Sequence, residues 1–219
     1  MLYLILIAII CFLFLKFAQP VIMKKRLFNH TQNYFYGVKG SGKTTHAAYV
    51  VSCANKFGIP CYSNVSIHGA YQLGDNIAEL DYPEGSVIII DEAGLEFGSR
   101  DFKKLPKEVI EYFKMSRHHK YTIFMYSQVP NDSDKKIREI RDNLFEVKKG
   151  VLFKGVSYFT LHRAYSDVDE EGQPCVKYKP ITFWQRIFFG KKLVRKKYYP
   201  LFDSYAYTPT SVMRAQIPW

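Results

Sequence analysis

The stretch Gly37-Val38-Lys39-Gly40-Ser41-Gly42-Lys43-Thr44 fits the pattern G-x-x-x-x-G-K-[ST] and follows directly on the aromatic run Tyr34-Phe35-Tyr36. No other feature constrains the fold as strongly, because such a loop works only when a strand delivers it and a helix leaves it. Glycines at these spacings let the backbone wrap its N–H groups around a polyphosphate. Lys43 then reaches the β- and γ-phosphates, and the Thr44 hydroxyl is placed to hold Mg²⁺. Residues Gly37 through Thr44, with Thr45 next in line, are therefore the expected nucleotide-binding set, and ATP with Mg²⁺ the expected ligand. The segment Lys43 to Phe57, stopped by Gly58, reads as the required helix.

Beyond it, Ile59 to Val65 reads as a short strand, and Ser66 to Gly85, punctuated by Gly69, Gly74 and Pro83, as mostly loop. Val87-Ile88-Ile89-Ile90 is a continuous apolar run of the buried parallel-strand kind, ending in Asp91-Glu92. Pro106 opens a helix through Val109, Ile110 and Phe113 to about His119. Tyr121 to Tyr126 is strand-like and ends in Ser127-Gln128; Ser133 to Arg141 looks helical, and Leu144 to Lys148 strand-like. This alternation predicts an α/β P-loop NTPase fold, a mainly parallel sheet covered by helices on both faces. From Val151 the pattern changes to aromatic, turn-punctuated strands, Phe153 to Tyr165 and Cys175 to Tyr178, which predict a small antiparallel extension on the C-terminal side.

A strand ending in two carboxylates supplies what hydrolysis next to such a loop needs. Asp91 is the expected Mg²⁺-side acid, and Glu92 the base that orients or deprotonates the water attacking the γ-phosphate. Gln128 ends the following strand, where its amide can sense the γ-phosphate, with Ser127 as the nearby substitute; alternatively it only opens the Val129-Pro130-Asn131 turn. Arg117 lies four residues after Phe113 and eight after Val109, on the buried stripe of its helix, where an unpaired charge is costly. Its partner is either a carboxylate of the same subunit or the nucleotide of a neighbour. The second case makes Arg117 an arginine finger and the assembly a homo-oligomeric ring, with Arg138 and Arg141 competing for the role. His118 and His119 have no matching ligand cluster, and no metal other than Mg²⁺ is indicated.

The net charge of +11 is unevenly spread: residues 1–74 hold seven Lys/Arg and no acid, and residues 181–219 hold seven against Asp203 alone. Basic flanks suggest contact with anionic lipid or with nucleic acid. Leu2 to Leu15 is uninterruptedly apolar, and Val21-Ile22-Met23 precedes the cluster Lys24-Lys25-Arg26. A spanning helix needs about 20 residues, so this segment crosses a bilayer only if Lys16 snorkels. A signal peptide is the competitor, but there is no basic residue ahead of the apolar run and no small-x-small cleavage site. The expectation is a single-pass anchor, N-terminus outside, with everything from about Lys24 onward in the cytosol. Cys11, Cys53, Cys61 and Cys175 lack metal-ligand or disulfide-framework spacing and read as reduced thiols. The aromatics Trp184, Phe188 and Phe189 before Lys191-Lys192-Leu193-Val194-Arg195-Lys196-Lys197 read as a lipid-surface patch, a single-stranded nucleic-acid site, or a packing segment followed by solvated charges. The expected organisation is an anchor (1–23), a basic juxtamembrane linker (24–32), an ATPase core (33–150), a β-rich extension of the same domain (151–205) and a tail (206–219).

The helix from Leu105 to His119, the Tyr121 strand, Ser127-Gln128, Ile137-Arg138 and the late Tyr198-Tyr199-Pro200-Leu201-Phe202-Asp203-Ser204 together resemble the zonula-occludens-toxin-like family. Its closing motif is Tyr-Tyr-x-Leu-Tyr-Asp-Thr, and the resemblance covers about residues 33–205. That family includes the assembly ATPases of filamentous phages. The resemblance implies an ATPase of the host bacterial inner membrane that couples hydrolysis to assembling coat protein on single-stranded DNA and extruding the virion. Its implied partners are the coat and other assembly proteins, inner-membrane lipids and, less directly, single-stranded DNA. In the family the ATPase commonly precedes the span, whereas here the expected span comes first. Two other readings share the residues: a DNA-translocating ATPase for packaging or conjugative transfer, and a non-enzymatic membrane scaffold that binds nucleotide.

Overall fold

A computed structural model describes residues 3, 19–73, 81–93, 107–131, 135–150, 153–168, 174–181 and 191–203. Strand β1 (Gln32–Tyr36) runs into the phosphate loop, which opens helix α1 (Lys43–Lys56). Then come β2 (Cys61–Ser63), β3 (Tyr71–Gln72), β4 (Val87–Ile90), α2 (Lys107–Met115), β5 (Thr122–Ser127), α3 (Lys135–Ile140) and β6 (Asn143–Lys149). The extension is β7 (Val156–Val168), β8 (Pro174–Pro180), β9 (Lys191–Val194) and a 3₁₀ helix, Arg195–Leu201.

Among the described residues nine strands form one sheet in the order β3-β2-β4-β5-β1-β6-β7-β8, with β9 beside β7. The strands β3, β2, β4, β5, β1 and β6 are mutually parallel, and β7 pairs antiparallel with β6, β8 and β9. At 13 residues β7 is long enough to share one edge, its first part pairing with β9 and its last with β8.

Period-two alternation sorts the strand residues onto two cores. Phe35, Val87, Ile89, Phe124 and Tyr126 pack with Ala47, Val50, Val51 and Ala54 of α1 on one face. Tyr34, Ile88, Ile90, Ile123 and Met125 pack with Ile110 and Phe113 of α2 and Ile137 of α3 on the other. This is why Val87 to Ile90 carries no polar residue: both faces of that strand are covered. The sequence-based expectation of a helix-covered, mainly parallel sheet with an antiparallel extension is borne out.

The differences are local. Tyr71-Gln72, expected as loop, adds a parallel edge strand to β2, and Lys191–Val194, expected within a basic patch, is β9. In β9 Leu193 is buried while Lys192 and Val194 are exposed, so its alternation is masked by the neighbouring lysines. Helix α2 ends at Met115 and the chain turns through residues 116–120, where Lys120 adopts φ +56°. Residues 19–27 are helical, and Leu27 and Phe28 are buried in the α1 core with Met23 packed against it. The stretch expected as a linker is thus partly built into the body. Leu2 to Leu15 apart from residue 3, the aromatics Trp184 to Phe189 and the tail from 206 lie outside the described residues. Among the described residues no helix is long and apolar enough to cross a membrane.

Candidate nucleotide site

Strand β5 lies between β1 and β4, so three adjacent parallel strands end at the same sheet edge. They deliver the phosphate loop, Gln128 and Asp91-Glu92 side by side, the place where parallel α/β sheets bind ligands. The loop is held from inside the sheet: Gly37 N–H donates to Ser127 O at 3.2 Å, and Ser41 N–H closes a turn onto Val38 O at 3.1 Å. Gly42, the residue ahead of α1, adopts φ +103°, which an L side chain tolerates poorly. Lys43 is buried and folds back on the loop, its Nζ donating to Gly37 O at 2.6 Å and Val38 O at 3.4 Å. Burial pulls its pKa down, against the upward pull of Glu92 and Asp91. A polyphosphate in the loop counters that same loss of solvation. The Ser41 hydroxyl is buried without a hydrogen-bond partner among the described residues, a free polar group in the loop wall.

Thr44 Oγ1 donates to Asp91 Oδ2 at 2.7 Å, joining the first turn of α1 to the end of β4. Asp91 is 4 % exposed, and burial pushes its carboxyl pKa up, while the Thr44 hydroxyl and the Glu92 N–H (3.0 Å to Oδ1) hold it down. A buried carboxylate beside a hydroxyl oxygen is a donor set that suits Mg²⁺, a hard cation taking one or two protein oxygens and keeping waters. Thr44 and Asp91 therefore fit the ion. Glu92 follows at φ +52°, a backbone region that costs a side-chain-bearing residue about 1–2 kcal/mol and marks a position held by its surroundings.

Gln128 stands where the sequence put it, at the end of β5 between loop and acids, with its side chain exposed; Ser127 is buried behind it. Arg117 does not occupy the expected buried stripe. Because α2 stops at Met115, it lies in the following turn, exposed, and pairs with Asp142. The other oxygen of Asp142 accepts the Gln32 N–H at 2.8 Å, so the pair sits at the start of β1, about 16 Å of strand away from the loop. Of the two alternatives, a carboxylate of the same subunit is the partner seen. Arg141 is buried, stacked over Tyr178 at 4.4 Å and Tyr34 at 5.3 Å, and donates to Pro130 O. It braces the core. The side chain of Arg138 lies outside the described residues. No cluster of His, Cys, Asp and Glu with metal-binding geometry occurs among the described residues, and Cys53 and Cys61 are free thiols.

Three residues at the site were not legible as site residues. Asn64, just after β2, clamps Asp91 by its backbone: Oδ1 accepts Asp91 N–H at 2.8 Å and Nδ2 donates to Asp91 O at 2.9 Å. Ser157 of β7 donates to Ser41 O at 2.6 Å, and Arg195 reaches Gly40 O with Nη1 at 3.0 Å. The only sequence signal for Arg195 is that it stands as an arginine among lysines, the residue preferred for buried, forked hydrogen bonding.

A family model described as "Zonular occludens toxin (Zot)" matches residues 69–207, more than half of the chain. No curated protein matches the sequence. The N-terminal domain of zonular occludens toxin from Neisseria meningitidis is similar in structure, with TM-score 0.52 at 16% identity, covering 79% of this chain and 98% of that one. B204, the DNA-packaging ATPase of Sulfolobus turreted icosahedral virus, superposes less well, with TM-score 0.43 at 15% identity over 70% of this chain and 98% of that one.

Proposed function

The chain belongs to the zonular occludens toxin (Zot) family, and on that premise we propose that it is a membrane-anchored P-loop ATPase driving assembly and export of filamentous phage particles through a bacterial inner membrane. The observation that carries the ATPase part is the 2.7 Å contact between Thr44 and Asp91, which brings the end of the phosphate loop and the acid-bearing strand to one point. Loop N–H groups and Lys43 would hold the phosphates, and Thr44 and Asp91 would hold Mg²⁺. When bound, the ion neutralises charge on the phosphate oxygens. Glu92 orients the attacking water and takes its proton, and Gln128 reads the γ-phosphate. Arg117, exposed and distant from its own loop, would act as an arginine finger only on the nucleotide of a neighbouring copy in a homo-oligomeric ring.

The export part of the reading rests on the family and on the apolar stretch Leu2 to Leu15 followed by Lys24-Lys25-Arg26. It places the N-terminus outside and the ATPase in the cytosol, against anionic inner-membrane lipids, with phage coat and other assembly proteins as partners and single-stranded DNA as a further contact. The test is complementation: producing cells deprived of this gene should regain virion release with the wild-type chain and not with Glu92→Gln. Full rescue by Glu92→Gln would leave a nucleotide-binding scaffold, and DNA-stimulated turnover with directional strand movement would replace export by DNA transfer.

A further inference from the structure

We infer that Arg195 and Ser157, which lie outside both phosphate motifs, are positioning residues for the nucleotide: from the β-rich extension they hold two successive carbonyls of the phosphate loop. The inference rests on the reading of that loop as an ATP site. Arg195 is 8 % exposed. Its Nη1 donates to Gly40 O at 3.0 Å, its Nη2 to Lys154 O, and its own backbone N–H to Gly155 O at 2.8 Å. One guanidinium thus ties the turn before β7 to the loop after β1. The fully buried Ser157 takes the next carbonyl, Ser41 O, at 2.6 Å.

In a trans peptide the C=O and the following N–H point in opposite directions. A carbonyl fixed toward the extension therefore fixes its N–H away from it. For Gly40 O the linked donor is Ser41 N–H, which closes the inner turn onto Val38 O; for Ser41 O it is Gly42 N–H. The extension sets the inward face of the loop by gripping its outward face. Gly42 makes this possible, since a Cβ there would lie 2.2 Å from Ser157 Oγ and 2.8 Å from Arg195 Cδ. The glycine demanded by the motif is demanded a second time by the extension.

Arg195 also lacks a carboxylate partner among the described residues, and its Nε is buried without a hydrogen bond there. A buried cation compensated only by neutral carbonyls is costly. A polyphosphate in the adjoining loop is an anion of the right kind to offset that cost. The grip is itself braced, because Tyr198 packs edge-on against Tyr49 of α1 at 5.5 Å and Leu201 O accepts the His68 N–H at 2.8 Å.

The test uses the full chain in lipid nanodiscs, with the Kd for Mg·ATPγS measured well below the melting temperature, alongside KM and kcat for ATP. Arg195→Gln is expected to raise Kd and KM by about tenfold or more and Ser157→Ala by about threefold to tenfold, with kcat changed less than KM, since neither side chain touches the reacting atoms. A residue that only stabilises the fold would lower the melting temperature and leave Kd alone. If Arg195→Gln does not fold, Ser157→Ala decides. Kd within twofold of wild type in the folded variants, while Lys43→Ala still abolishes binding, overturns the inference and spares the ATP site. A wild-type chain that binds no nucleotide overturns both.

Discussion

Replacing Gly42 by alanine forces two changes at once, and two other glycines separate them. Gly42 sits at φ +103°, and a Cβ there meets Ser157 Oγ at 2.2 Å and Arg195 Cδ at 2.8 Å. Gly58 and Gly85 also have positive φ, +64° and +80°, yet a Cβ on either meets nothing within 4 Å. For those two, left-handed backbone costs about 1–2 kcal/mol, offset by about 0.4–1 kcal/mol from a less flexible unfolded chain, leaving a net of roughly 0–1.6 kcal/mol. At Gly42 the same strain is joined by expulsion of Ser157 Oγ from Ser41 O. That unpairs a buried donor and acceptor at about 1–3 kcal/mol, and crowding of Arg195 adds about 1–3 kcal/mol. Gly42→Ala should therefore be about 2–6 kcal/mol less stable than Gly58→Ala or Gly85→Ala. At ~2–4 °C per kcal/mol for a chain of this size, thermal unfolding by circular dichroism should place it at least about 4 °C below either control. Equal melting temperatures for the three variants would refute the close approach of the extension to the loop.

The buried Asp91 carboxyl has its pKa raised by desolvation, so the native state binds that proton more tightly than the unfolded chain; its penalty is absent below the ordinary carboxylate range and grows as the pH rises above it. Asp91→Asn, which can still bond Thr44 and Glu92 N–H, should abolish turnover yet raise the melting temperature at pH 7.5 in Mg²⁺-free buffer, a gain that shrinks toward pH 4; a lower melting temperature at pH 7.5 would count against it. Burial pushes the Cys61 thiol up to about 12, so at pH 8 native protein should leave it unmodified by iodoacetamide and unfolded protein should not, as peptide mass mapping would tell. Arg117→Ala breaks an exposed pair with Asp142 and should cost less than about 1 kcal/mol while leaving the ATP affinity of the isolated monomer unchanged; a tenfold weaker Kd in the monomer would contradict its placement at the far end of β1.

What the sequence made legible is what local geometry dictates. The phosphate loop, the all-apolar Val87 to Ile90 and the carboxylates after it are contiguous patterns, each with a short-range physical cause, and the loop and the carboxylates follow the C-terminal ends of β1 and β4. The burial expected of Arg117 fails because it presumes that the helix continues, whereas α2 ends two residues earlier; the expected carboxylate partner is found in Asp142. Ser157 and Arg195 lie 116 and 155 residues from the carbonyls they hold, so no periodicity or spacing could connect them. Asn64 is similar: it reaches Asp91 only because β2 and β4 are sheet neighbours. The membrane expectation rests on residues outside the described ones and stands as part of the proposal.

The central claim is that Lys43 holds the nucleotide and Glu92 turns it over, and it is tested most directly by measuring ATP binding and phosphate release on the same full-length preparations. Wild-type chain should bind and hydrolyse Mg·ATP; Lys43→Ala should lose binding; Glu92→Gln should bind with near wild-type affinity and hydrolyse at least about 100-fold more slowly. Undiminished phosphate release from Glu92→Gln, or binding by Lys43→Ala equal to wild type, would contradict the account.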